Sequence, residues 1–194
     1  MAQRAESKTV KPMRLDIGDN YYRGYRISLH DDPDPYDPRK ESEYLGTMAT
    51  WHPRYFIGDF QVPIGTEMPT AQVCAPLYLL DHSGLRLSMT PFCDPWDSGQ
   101  VGWIYVEDDK ARKELGITDE RELTDEEVTH LFKVLHAETE EMDQYLSGEV
   151  YMLEIFTEDN EEVDTMGGVF GYDWACEFAQ QLVDGDIEMK AGHQ

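Results

Sequence analysis

The sequence predicts an α+β fold, a mostly antiparallel sheet with one long amphipathic helix and a C-terminal helix packed on it. Three observations lead there. Strand-like segments and ordered loops rich in Pro, Gly, Tyr and Trp fill the first half, a single long stretch of helical periodicity follows, and a hairpin and a last helix close the chain. No βαβ alternation runs through it, which sets aside a doubly wound parallel sheet. At 194 residues, 40% hydrophobic and 11% aromatic, the chain holds enough apolar material for a core. Residues 1–12 read as a flexible lead, and 13–190 as a single domain.

Each element has a local reason. Tyr21 to Leu29 (YYRGYRISL) has the aromatic and β-branched content of a strand. The prolines of HDDPDPYDPR then forbid regular structure. Thr47 to Trp51 and Arg54 to Ile57 read as short strands broken at His52-Pro53. Gln72 to Met89 is a hairpin around Asp81-His82-Ser83-Gly84, where Gly84 supplies positive φ. Pro76 marks an irregular or edge position in its first strand. Val101 to Val106 is an apolar run that suits a central strand.

In the second half, Glu107 to Leu115 predicts a short helix. Thr124-Asp125-Glu126-Glu127 is a capping box, and Val128, Leu131, Phe132, Leu135, Met142, Tyr145 and Leu146 form one stripe that ends at Gly148. Val150 to Phe156 and Val163 to Phe170 make a second hairpin. Tyr172 to Leu182 predicts the last helix, with Asp173 at its N-cap.

Charge restricts function more than any motif. The formal net charge is −24, from 40 acids and 16 Lys plus Arg. Residues 1–97 hold 14 acids and 10 bases, whereas residues 98–194 hold 26 acids and 6 bases. Phosphates would be repelled by such a surface, which argues against direct nucleic-acid binding and against anionic membranes. The partner it suits is a basic protein, and many proteins are basic because they bind nucleic acid. Glu138, Glu140, Glu141, Asp143, Glu158, Asp159, Glu161, Glu162 and Asp164 are the candidate partner-binding residues, because that stretch has almost no Lys or Arg to form compensating pairs. A merely solvated face is the plain alternative.

A second candidate region surrounds the ordered loop Pro91 to Gln100, with His52, His82, Cys93, Asp94, Asp97 and Gln100 as a possible functional set. Cysteine–histidine chemistry would need Cys93 in contact with His82 and oriented by Asp97. The structural alternative is that Asp94 and Asp97 form turns and Gln100 satisfies backbone. Asp31, Asp32, Asp34 and Asp37 lack the glycine and terminal glutamate of an EF-hand loop. Dispersed His30, His52 and His82, without CxxC or HExxH, give no zinc pattern. Gly167-Gly168 fits neither phosphate-loop motif and reads as a bulge or close packing. No cofactor is expected, and an enzyme is the less favoured class. Three cysteines, Cys74, Cys93 and Cys176, suit buried thiols in a reducing cytoplasm.

Leu45 to Asp59 (LGTMATWHPRYFIGD) and Pro76 to Val106 (PLYLLDHSGLRLSMTPFCDPWDSGQVGWIYV) resemble a group of acidic proteins encoded by bacteriophages, plasmids and other mobile elements. The resemblance extends more loosely through YLSGEVY and the following hairpin. It carries over no catalytic residue. It implies a protein acting inside a bacterial host cell, where acidic mobile-element proteins include DNA mimics that occupy the basic channels of restriction or CRISPR effectors. The combined expectation is an anti-defence inhibitor, with a small-ligand-binding protein or an enzyme of the His82/Cys93/Asp97 region as the alternative.

Overall fold

A computed structural model describes residues 13–192, so the lead expected over 1–12 lies outside the described residues. The strands are β1 (Gly18–Tyr22), β2 (Tyr25–Asp31), β3 (Thr47–Thr50), β4 (Phe60–Gln61), β5 (Val73–Asp81), β6 (Leu85–Ser88), β7 (Ser98–Val106), β8 (Val150–Phe156) and β9 (Glu162–Phe170). The helices are α1 (Pro38–Glu41), α2 (Asp108–Glu114), α3 (Asp125–Ser147) and α4 (Tyr172–Gly192). The α+β expectation holds, with α3 on one sheet and α4 on the other. Where the sequence suggested one domain over 13–190, the chain groups into two compact units: a terminal unit, Met1–Pro35 with Val150–Gln194, and a central unit, Tyr36–Glu149.

The terminal unit has an antiparallel sheet in the order β1-β2-β8-β9. Tyr21 to Leu29, expected as one strand, is instead a hairpin, because Arg23 and Gly24 both take positive φ and fold Tyr22 back against Tyr25. Ile27, Leu29, Leu153 and Ile155 bury on the face that receives Ala175, Cys176, Ala179 and Val183. Those four α4 positions recur every three or four residues and are small enough for the helix to approach closely. The helix runs ten residues past its expected end at Leu182. Its cap also differs: the Ala175 amide donates to the Gly171 carbonyl, which leaves Asp173 inside the first turn, ion-paired to Arg14. At Gly167-Gly168 the β8–β9 register shifts, and the Gly168 amide donates to Asp32 at 2.7 Å, as the expected bulge requires.

The central unit's sheet runs β4-β3-β7-β5-β6, antiparallel except for the β3–β4 pair. Val101 to Val106 forms the heart of the middle strand, β7. Gly102 is there because a Cβ would stand 2.3 Å from the Ala49 carbonyl oxygen of β3. Pro76 is tolerated because β6 pairs only with Tyr78 to Asp81, so β5 has no neighbour on that side at Pro76. Arg54 to Ile57 is not a strand, since the His52 imidazole takes the amides of Arg54 and Tyr55 into a turn. Leu131, Leu135 and Met142 of α3 bury against Val73, Leu77, Val101 and Ile104 of the sheet. The Thr124–Glu127 capping box starts α3, and Gly148 at φ 77° ends it.

Candidate functional site

The nine acids proposed to contact a partner divide between the units, four in the central unit and five in the terminal one. Two of the four are structural, which corrects the sequence reading. Glu138 is buried and accepts hydrogen bonds from Arg39 Nη1 at 3.1 Å, the Leu45 amide at 2.9 Å and the Gly46 amide at 3.1 Å. Arg39, with 1% of its side chain exposed, also reaches Asp59. Asp143 makes a two-pronged contact with Arg86 and accepts the Leu87 amide at 2.6 Å, fastening β6 to α3. Burial accounts for Glu138, which follows Leu131 and Leu135 on the i, i+4, i+7 row facing the sheet and there needs a partner; Asp143 is half-buried at the edge of that face, against β6. Glu141 is half-buried beside Tyr44, whose hydroxyl is held protonated by burial first and by that carboxylate second. Glu140 is exposed, 3.2 Å from His136 Nδ1.

In the terminal unit four of the five acids are exposed. Thr157 and Asn160 close the β8–β9 turn through backbone bonds of 2.8 and 3.0 Å, and Asn160 takes φ 63°. Glu158, Asp159, Glu161 and Glu162 are exposed there, while Asp164 is half-buried and accepts the Thr165 amide. The described cations of this unit are paired elsewhere: Arg14 with Asp173, Arg23 with Asp184, Arg26 with Asp19 and Lys190 with Asp186. Arg26 comes nearest the turn, but it gives its second Nη to the Asn160 amide oxygen and stacks 4.0 Å over Phe156. Among the described residues, no Lys or Arg forms an ion pair with a carboxylate of this hairpin.

The second candidate region lies wholly within the central unit and is partly assembled. His82 Nδ1 and Asp97 Oδ2 are 2.6 Å apart, and this hydrogen bond to the Asp97 carboxylate raises the His82 pKa. Asp94 Oδ1 accepts the amides of Trp96 and Asp97 at 2.9 and 3.1 Å; those bonds hold its carboxyl below the usual range. His52 stacks on Tyr55, and its pKa is lowered by burial and then by the Arg54 charge. His52 and Asp97 share the lining of a cavity of about 310 Å³ with Arg54, Asp81 and Trp96.

Two members of the set drop out. Cys93 is exposed, contrary to the buried expectation, and no hydrogen bond joins it to His82 or Asp97, so the cysteine–histidine arrangement is not formed. Gln100 serves the backbone, its amide donating to the Gly102 carbonyl while its own carbonyl takes the Trp51 indole. Three cavity residues escaped the sequence reading. Arg54 and Asp81 form an ion pair, and Trp96 is 92% exposed. The nearness of Arg54 to His52, of Asp81 to His82 and of Trp96 to Asp97 in the chain was the one available signal.

Comparison with protein-family models, curated proteins and solved structures finds no match. Among the described residues, no helix is long and apolar enough to cross a membrane.

Proposed function

We propose that this is an acidic interaction protein that docks its β8–β9 hairpin on the basic, nucleic-acid-binding surface of another protein. The observation that carries the reading is the pairing pattern of the terminal unit. Its described cations neutralise Asp19, Asp173, Asp184 and Asp186, and leave Glu158, Asp159, Glu161 and Glu162 as a run of exposed carboxylates on a closed turn. Carboxylates fixed in this way attract a surface built for phosphates, and steer it over roughly a Debye length. The resemblance to mobile-element proteins supports an anti-defence role, with a restriction or CRISPR effector of the bacterial host as the partner class.

Capture from a bacterial lysate with the intact chain, and with a Glu158→Gln, Asp159→Asn, Glu161→Gln, Glu162→Gln variant, tests it. The expected result is a basic nucleic-acid-binding protein retained at about 0.05 M salt and largely released at about 0.5 M, with the variant losing it at both. Retention that ignores both salt and the four substitutions removes the proposal.

A further inference from the structure

We propose that His82, Asp94 and Asp97 bind a divalent first-row transition cation of the Zn²⁺ or Mn²⁺ kind. This goes beyond the hairpin reading, since the three residues belong to the central unit. They come from segments that only folding brings together: His82 from the turn between β5 and β6, Asp94 and Asp97 from the loop entering β7. One ligand atom of each lies within 4.8 Å of the other two. Ligands on bonds of about 2.0–2.2 Å stand no more than about 4.4 Å apart, so the triangle closes around an ion with small side-chain adjustments.

The backbone holds two corners of that triangle. The amide bonds accepted by Asp94 fall on Oδ1, which leaves Oδ2 for a cation. The Asp81 amide donates to the Asp97 carbonyl at 2.8 Å and ties the His82 turn to the loop. Three protein ligands leave positions for exchangeable ones. Of the three residues, Asp97 alone lines the cavity of about 310 Å³, which it shares with His52 and Arg54. The donor set selects the metal class: an imidazole favours transition cations over Mg²⁺ or Ca²⁺, two carboxylates suit Zn²⁺ and Mn²⁺, and no thiolate is present to favour softer ions.

The competing account is that the His82–Asp97 contact only braces two loops. Calorimetric titration of the chelator-stripped full chain with ZnCl₂, MnCl₂ and MgCl₂ at about 0.15 M salt, which screens diffuse attraction to an acidic surface, separates the two. Expected is one Zn²⁺ or Mn²⁺ per chain, weak Mg²⁺ binding, and affinity reduced about 10-fold or more in each of H82A, D94N and D97N. An E158Q/D159N control should bind like the parent. Asparagine at 94 keeps an oxygen for the Trp96 and Asp97 amides, so D94N reads ligation in a folded loop, which circular dichroism verifies. Binding that persists unchanged in H82A and D97N, or no saturable binding at all, overturns the site.

Discussion

Replacing Glu138 by alanine removes a carboxylate that the fold has enclosed with Arg39. Its side chain is 7% exposed and that of Arg39 is 1% exposed, so solvent replaces neither partner. The substitution strands the Leu45 and Gly46 amides as well as one arm of the guanidinium, which keeps Asp59. Breaking a buried pair by deleting one partner costs about 3–5 kcal/mol, a large part of the roughly 5–15 kcal/mol that holds a domain together. Glu138→Gln retains an acceptor but loses the charge, and should cost about 1.5–3 kcal/mol, the worth of hydrogen bonds to a charged group. Urea titration followed by tryptophan fluorescence reads both through the midpoint, with the slope unchanged. An alanine variant within about 0.5 kcal/mol of the parent, the range of an ordinary surface change, would refute the structural assignment and return Glu138 to the candidate binding residues.

Gly102→Ala should destabilise the central unit by at least about 1–3 kcal/mol, the usual cost of overpacking, because its Cβ meets the Ala49 backbone and not a flexible side chain; a parent-like urea midpoint would contradict the β3–β7 approach. Thr124→Ala should cost about 1 kcal/mol by removing the cap of α3, visible as a lower midpoint with little change in slope. Glu127, which hydrogen-bonds to Arg121 and to the Thr124 amide, has its pKa pulled down to about 2. Its folded value lies below the unfolded one, so its contribution is complete above the ordinary glutamate range and is lost as pH falls from there toward 2. The melting temperature of Glu127→Gln should therefore converge on that of the parent over this interval; a constant gap down to pH 2 would show that the ionised carboxylate is not what stabilises the helix start.

Residue chemistry alone determined the elements whose cause is local. The capping box, the α3 stripe, the Gly148 stop and the hairpin turn at Gly84 act through neighbours within a few positions, and each appears where the sequence places it. Net charge was likewise a property of composition, untouched by folding. The misreadings share a different origin. Arg23-Gly24 made a turn inside a strand-like run because two successive residues took positive φ, which the β-forming aromatics around them obscured. Which carboxylates remain available was decided by three-dimensional pairing: α3 rotates Glu138 toward Arg39, 99 residues away in the chain, and Asp143 toward Arg86, 57 away, whereas no carboxylate of the β8–β9 turn is ion-paired to a described Lys or Arg. Tertiary structure also drew His82 to Asp97 and left Cys93 outside. Ion pairing and ligation act over a few ångströms of space, and spacing along a sequence carries that distance only within a single helix turn or hairpin.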